Sequence, residues 1–381
     1  MLTLMLQYCQ PGFVVGLSRT VWYLPDKQAA ISYSFLTYSN PFFAKPYTRL
    51  ANWLNLFGMK IKAVLLWISL AAGMASFAQT PVAVNGALTT KGNKIVNKNG
   101  VPPQLRGISL SWSLWAGAKY YNPAVVGWLK DDFKISILRA SMGVQPEHGY
   151  LQEPEIQKKL VTDVVDEAIK KGIYVLIDWH DHNGYLHIPQ AKAFFAEMAK
   201  KYKGVPNVIY EIWNEPERIS WDTVKNYALQ VIPEIRKYDP DNLIVVGSPS
   251  WDQDVDVAAA NPISGYKNIA YSFHYYATEP GHQDGLRTKA DKAIKMGLPL
   301  MVTEWGVGEA NGDGRFDMAM NKKWMDWVEK NQLSWVNWNI TDKKETTAIL
   351  QPGAPANGGW TDAQLTPAGS YIRQWLRVLN K

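Results

Sequence analysis

Apolar residues in this chain gather into short runs that recur regularly from residue 104 onward. Eight runs have the length and the β-branched, aromatic content of buried strands: 104–110 (QLRGISL), 135–142 (ISILRASM), 174–180 (YVLIDWH), 208–215 (VIYEIWNE), 243–249 (LIVVGSP), 269–276 (IAYSFHYY), 299–305 (PLMVTEW) and 334–340 (SWVNWNI). Between most of them the apolar positions follow a helical period instead. In 154–171, Ile156, Leu160, Val164 and Ala168 share a face, Pro154 opens the segment and Gly172 stops it. Residues 189–203, 221–238, 284–297, 316–331 and 366–379 read in the same way, whereas the stretch after 249 predicts a loop with a short helix. Parallel strands covered on both faces are apolar nearly throughout, as these are. Eight such strand–helix units predict an α/β chain closed into a single-domain (β/α)8 TIM barrel over 104–381. Residues 79–103 predict a lead-in with a hairpin turning at Lys98-Asn99-Gly100.

The first 78 residues break the pattern. Segment 59–78 (MKIKAVLLWISLAAGMASFA) has basic Lys60 and Lys62, an apolar stretch from Ala63 to Ala72 and a small-residue exit at Ser76-Phe77-Ala78. It reads as a signal peptide cleaved after Ala78, because the apolar stretch falls short of the roughly 20 residues a membrane span needs. The expected destination is the exterior or periplasm of a bacterium. Residues 1–58 show no helical or strand period and no domain-sized core, so Met59 is the expected start and 1–58 a non-native upstream extension.

This division changes the charge picture. Six of the 40 basic residues (Arg19, Lys27, Lys45, Arg49, Lys60, Lys62) and one of the 34 acidic ones (Asp26) precede residue 79, so 79–381 carries +1 against +6 for the whole chain. A near-neutral domain gives no warrant for a nucleic-acid or anionic-membrane partner. The one cysteine, Cys9, lies in the leader, so 79–381 forms no disulfide. Fourteen of the 17 tryptophans remain there, and aromatic faces suit sugar rings.

The strand ends carry the candidate chemistry. VIYEIWNEP (208–216) delivers Glu215 and LPLMVTEWG (298–306) delivers Glu304, each at the C-terminal end of an apolar run. Cleavage of a glycosidic bond takes two carboxyls, one to protonate the leaving oxygen and one to attack or to activate water. In a barrel of this kind the active site forms at those ends. Arg139, Asp178, Trp179, His180, Asn214, His274, Tyr276 and Trp338 occupy the same ends of other strands. His180, His182 and His187 have no regular ligand spacing, so no metal is expected. ANGDGRFD (310–317) lacks the closing glutamate of a calcium loop, with Met320 at the twelfth position from Glu309, and reads as a loop edging the cleft.

Taken in order, LRASMG, IDWHDHNG, VIYEIWNEP, SFHYYA, MVTEWG and SWVNWNI resemble the motif series of glycoside hydrolase family 5, and bacterial endo-β-1,4-glucanases in particular, over 85–379. The resemblance implies a retaining double displacement on a β-glucan polysaccharide or oligosaccharide by a monomer without a cofactor. Through Asn214-Glu215-Pro216 it implies that Glu215 is the general acid/base, and through Thr303-Glu304-Trp305-Gly306 that Glu304 is the nucleophile. By the same matches Arg139 and Tyr276 hold the nucleophile, His274 stands beside the acid/base, Asn214 bonds the sugar 2-hydroxyl and His180 lines the reacting subsite. Trp338 would be a sugar platform, Lys343 and Glu345 would bond a more distant glucose, and Trp115 and Trp251 would be further platforms. For Trp112, core packing and stacking stay equally open. Ser111-Trp112 stands where many relatives have His-Gly, and Gly143 where several have Tyr. A β-mannanase or mixed-linkage glucanase on the same barrel is the alternative, and a non-catalytic glycan-binding barrel is disfavoured because both glutamates are present.

Overall fold

The computed structural model describes residues 5–10, 13–23, 29–37 and 79–380. They fall into two units that divide between residues 77 and 78. In the first, Met5–Gln10, Phe13–Tyr23 and Ala29–Thr37 pair antiparallel in one sheet. These strands form in a stretch of the sequence that has no strand period. FVVGLSRTVWY is rich in β-branched and aromatic residues without alternating cleanly, so propensity marks the strand where period does not. The expected signal peptide, 59–78, lies outside the described residues.

The second unit has eight parallel strands: β1 Arg106–Leu110, β2 Ile137–Gly143, β3 Tyr174–His180, β4 Val208–Glu211, β5 Ile244–Val246, β6 Ile269–Tyr276, β7 Leu300–Gly306 and β8 Trp335–Ile340. They close into a barrel in sequence order, with β8 pairing β1. Each is followed by a helix: α1 Pro123–Trp128, α2 Pro154–Lys171, α3 Ile188–Lys201, α4 Trp221–Arg236, α5 Val255–Ala260, α6 Asp284–Lys295, α7 Met318–Lys330 and α8 Pro367–Leu379. The expected (β/α)8 barrel is therefore the fold. No helix among the described residues is long and apolar enough to cross a membrane.

Local differences have local causes. Helix α1 follows Asn122, whose side chain accepts from the Val125 N–H, with Pro123 in the first turn. It runs on into a π-helical turn at Leu129–Phe133, and so short and irregular an element has little period to detect. In α2 the buried positions are Gln157, Val161, Val164, Val165 and Ala168, while Ile156 is 55% exposed, so the inner face is turned from the one expected. The lead-in hairpin pairs Thr89–Lys91 with Lys94–Val96 and turns at Gly92-Asn93, where Gly92 has φ +57°. Lys98-Asn99-Gly100 is a separate turn after the second of these strands. Strand β4 stops at Glu211, four residues before the expected end. Beyond it the chain stays tied to the end of β3, with Asn214 N–H donating to the Trp179 carbonyl at 3.0 Å.

Two apolar layers result. The larger lies between strands and helices, with Val161, Val165, Phe194, Ile232, Trp324 and Ile372 in it. The smaller fills the N-terminal half of the barrel with Leu105, Ile137, Leu176, Ile209, Val245 and Met301 among its members. Side chains alternate along a strand with period two. One step beyond Ile137, Leu176 and Ile209 the inward positions are Arg139, Asp178 and Glu211, all wholly buried.

Candidate active site

That step from apolar to charged creates an ionic layer directly below a cleft. Arg139, on β2, is its hub. Its Nε donates to Glu211 Oε2 at 2.7 Å, and its Nη2 to Glu211 Oε1 at 3.2 Å and Asn214 Oδ1 at 2.5 Å. The same Nη2 lies 3.0 Å from Asp178 Oδ2, and Nη1 donates to Glu304 Oε2 at 2.7 Å. Three carboxylates around one guanidinium leave surplus negative charge in a site without bulk water. Burial pushes the Asp178 carboxyl up to about 7 against the pull of Arg139, and raises that of Glu211 in the same way.

Glu304 is held from both sides. Its Oε2 takes the Arg139 bond and its Oε1 accepts from the Tyr276 hydroxyl at 2.7 Å. Burial and the neighbouring Glu304 charge keep that phenol well above its ordinary range, so it remains a donor. Glu215, in the loop beyond β4, has Oε1 2.8 Å from His274 Nδ1, and Oε2 3.8 Å from His182 Nδ1. His274 Nε2 lies 2.9 Å from Thr303 Oγ1. Burial alone would lower the His274 imidazole, but Asp252, the Glu215 bond and Glu304 outweigh it and raise it to about 9. Oxygen atoms of Glu215 and Glu304 and a nitrogen of His274 all lie within 4.8 Å of one another. Such a trio has the donor types of a metal site, yet Glu304 already takes bonds from Arg139 and Tyr276, and Glu215 is bonded to His274. A carboxylate fixed by two donors opposite one linked to a titrating imidazole can divide attack and proton transfer between them.

The cleft above is lined by Trp112, Trp115, His180, His182, Glu215, Tyr276, Glu304, Trp338, Lys343 and Glu345 among others. His180 has Nδ1 2.7 Å from Asp178 Oδ2 and its ring stacked on Trp338, with centroids 5.2 Å apart and planes 5° from parallel. Burial holds this imidazole well below its usual range, so it faces the cleft neutral. Trp115 is 67% exposed at the cleft edge, and Lys343 pairs with Glu345 at 2.7 Å. The loop after β7 contributes Ala310, Asn311 and Gly312 to the lining, the expected place for ANGDGRFD. His180, His182 and His187 face separate carboxylates: Asp178 for His180, Glu215 for His182 and Asp181 for His187.

The structure thus brings together Arg139, His180, Asn214, Glu215, His274, Tyr276 and Glu304, with Trp115, Trp338, Lys343 and Glu345 around the cleft. Trp251 is apart from that lining. It sits in the turn after β5, under the Arg218 guanidinium at 5.3 Å and bonded through its N–H to the Pro216 carbonyl. Two acids went unread. Glu211 carried a signal, a charge two residues past Ile209 in an apolar run, and Asp252 carried none, being one polar residue in a loop. Trp112 falls on the cleft side: it lines the opening and meets the His180 ring edge-on at 4.1 Å. Gly143 lies behind it. A Cβ there would come within 2.5 Å of Leu114 Cδ1 and 3.4 Å of Trp112 Cε3, so the Ser111-Trp112 and Gly143 departures occupy one patch.

Comparison with known proteins places this geometry. Residues 96–344 match the family model described as cellulase (glycosyl hydrolase family 5). Endoglucanase A of Evansella cellulosilytica is 42% identical over 284 residues, which are 73% of this chain and 57% of the relative. The chain spans 57%, 64% and 61% of three curated relatives it matches, all named endoglucanases. A solved structure from Cytophaga hutchinsonii superposes with a TM-score of 0.77 at 46% identity, covering 79% of this chain and 97% of that one. A variant of the Thermobifida fusca endoglucanase catalytic domain in complex with cellotetraose superposes with a TM-score of 0.74 at 33% identity, covering 78% and 99%. With the two strand-borne glutamates facing one cleft and these likenesses extending over the whole barrel, the chain belongs to glycosyl hydrolase family 5.

Proposed function

We propose that the protein is an endo-β-1,4-glucanase that hydrolyses internal glucosidic bonds of cellulose or related β-glucans with retention. The observation that carries this reading is the pair Glu215 and Glu304, with carboxylate oxygens within 4.8 Å across the cleft and Glu304 held by Arg139 and Tyr276. Retaining enzymes place their carboxyls about 5 Å apart, whereas inverting ones leave room for a water between them. The relatives' endoglucanase names and the cellotetraose of the Thermobifida fusca complex support a β-1,4-glucan as substrate.

In the first step a Glu304 oxygen attacks the anomeric carbon, the bond to the leaving sugar oxygen breaks, and Glu215 gives that oxygen its proton. Arg139 and Tyr276 hold Glu304 aimed through one bond to each of its oxygens, and Asn214, fixed by Arg139, stands ready for the sugar 2-hydroxyl. In the second step Glu215 takes a proton from water, the water oxygen bonds to the anomeric carbon, and Glu304 leaves. Glu215 must enter the first step protonated, while in the open cleft its bond to His274 holds the carboxyl down against the effect of burial. The two side chains share one proton. A sugar that displaces water from the cleft favours the neutral pair, with the proton on Glu215.

Glu304→Gln tests the reading. Turnover of carboxymethylcellulose should fall by about 10⁴-fold or more while the fold and binding of cello-oligosaccharide persist, since a nucleophile has no substitute. Retained turnover would sink the assignment. Reducing-sugar release measured in parallel on carboxymethylcellulose, lichenan and mannan sharpens it, because activity on mannan alone would keep the catalytic pair and overturn the substrate.

A further inference from the structure

The turn after β5 holds a carboxylate for which the two steps above have no task. Ser250, Trp251 and Asp252 have φ of 60°, 56° and 60°, three consecutive left-handed residues without a glycine among them. Left-handed backbone is unfavourable for a residue with a Cβ, which meets the following carbonyl oxygen. The turn is held by backbone bonds to the segment after Glu215: Ser250 N–H donates to the Glu217 carbonyl at 2.9 Å and Trp251 N–H to the Pro216 carbonyl at 2.8 Å. The strain aims Asp252 inward, where it is wholly buried.

Asp252 Oδ1 accepts from the Ser248 N–H. Its Oδ2 has no hydrogen-bond partner among the described residues and lies 3.5 Å from His274 Nε2, the far side of the ring that meets Glu215 through Nδ1. Glu211, on β4, faces the same Nε2 at 3.9 Å, and Thr303, on β7, offers its hydroxyl at 2.9 Å. Glu304, Asp178 and His282 act on the ring from further away. Glu211, Asp178 and Glu304 already share Arg139. Among the described residues the cation paired with Asp252 is His274 alone. A buried carboxylate is expensive unless a charge answers it.

We propose that Asp252 is a positioning residue for acid catalysis, whose carboxylate fixes the His274 ring and keeps a proton on the His274–Glu215 pair over a wider pH range. The proposal rests on the reading of Glu215 as acid/base. Among the influences that raise the His274 imidazole against burial, Asp252 is the largest. Removing its charge lets the shared proton leave at lower pH.

Asp252→Asn removes that charge while keeping an oxygen for the Ser248 N–H. The measurement is kcat/KM against pH on two aryl β-cellobiosides, a phenyl one whose leaving group needs protonation and a dinitrophenyl one whose leaving group does not. With the phenyl substrate the basic limb should move acidward by about one pH unit, a loss of about tenfold above the limb, since a neighbouring opposite charge shifts a pKa by about 1–3 units. With the dinitrophenyl substrate it should stay put. An unmoved limb overturns the proposal, and so does an equal loss on both substrates at every pH, which would make Asp252 a support of the fold only. Asp252→Ser, read in the same way, replaces the Asn variant if that one lacks the native circular dichroism spectrum. Glu215→Gln run alongside separates the two readings. A variant at Glu215 that keeps the wild-type basic limb overturns the acid assignment itself, and this proposal with it.

Discussion

The two halves of the barrel interior are built on the same strands and differ by one step of the strand period. Toward the N-terminal end Ile137, Leu176, Ile209 and Met301 point inward and pack into one apolar layer. Two residues later the same strands turn in Arg139, Asp178, Glu211 and Thr303, all wholly buried. The lower layer stabilises in proportion to the apolar area it removes from water. The upper layer gains little in net terms, because desolvation of its three ionisable groups, Arg139, Asp178 and Glu211, offsets most of their mutual attraction. What it provides is fixed charge aimed at the cleft, which water could not supply without reorganising. Stability and chemistry thus occupy adjacent rungs of one ladder, and substitutions should separate them.

Arg139→Met should have the largest effect. Glu211, Asp178 and Glu304 lose their shared cation, Asn214 loses its tether and Glu304 loses one of two holds. Breaking a buried ion pair costs about 3–5 kcal/mol, and losing a charged hold on the reacting group costs about 10²–10³ in kcat. The stability loss should depend on pH. Burial already holds the Asp178 and Glu211 carboxyls above their unfolded values, and without Arg139 they rise further. The deficit is then small at pH values where the carboxyls bind protons, and grows as the pH climbs through the raised values. Urea unfolding at pH 5 and pH 8 checks this. A deficit equal at both would make Arg139 a packing residue of the same kind as those below it.

Leu176→Ala is the counterpart one rung down. The side chain is wholly buried in the lower layer, so the expected loss is about 2–5 kcal/mol of stability from transfer and cavity. The folded fraction should keep kcat within about twofold, because no group of the upper layer loses a partner. Thermal unfolding together with active-site-titrated kcat decides the matter. A kcat that falls by an order of magnitude would show that the layers are mechanically coupled, and would break the separation.

The same ladder explains what could be read from the chain. The strands were legible because burial on both faces writes itself as apolar runs, and helices α2, α3, α4, α6, α7 and α8 because one buried face imposes a period. Glu304 and Glu215 stood out as acids ending apolar runs. The end of β4 was less legible, because Ile212 and Trp213 are as buried in the loop as they would be in a strand, and burial alone sets the hydrophobic pattern. Asp252 was illegible because its role comes from a left-handed turn that brings a loop residue against β6, a long-range placement that leaves no local periodicity. Trp251 sits in the same turn, with its ring under Arg218 and outside the lining of the cleft around the two glutamates.

Trp112 belongs to neither layer, which makes the smallest prediction the most discriminating one. It is apolar, as the lower layer is, yet it lies at the cleft, half-buried between Trp115 at 5.7 Å and the edge-on His180 at 4.1 Å. Behind it Gly143 leaves room for Leu114, and a Cβ there would only touch the Trp112 ring, at 3.4 Å. If the ring meets sugar, Trp112→Ala should raise KM on soluble β-1,4-glucan about fivefold, roughly 1 kcal/mol of lost aromatic contact, and leave kcat nearly unchanged. If it is packing, the variant should lose stability and keep its KM. Steady-state kinetics and a thermal melt on one preparation give both answers. A raised KM with an unchanged melting temperature would add to the barrel a third kind of position, apolar in composition and given over to binding, set above an ionic layer that in turn rests on an apolar one.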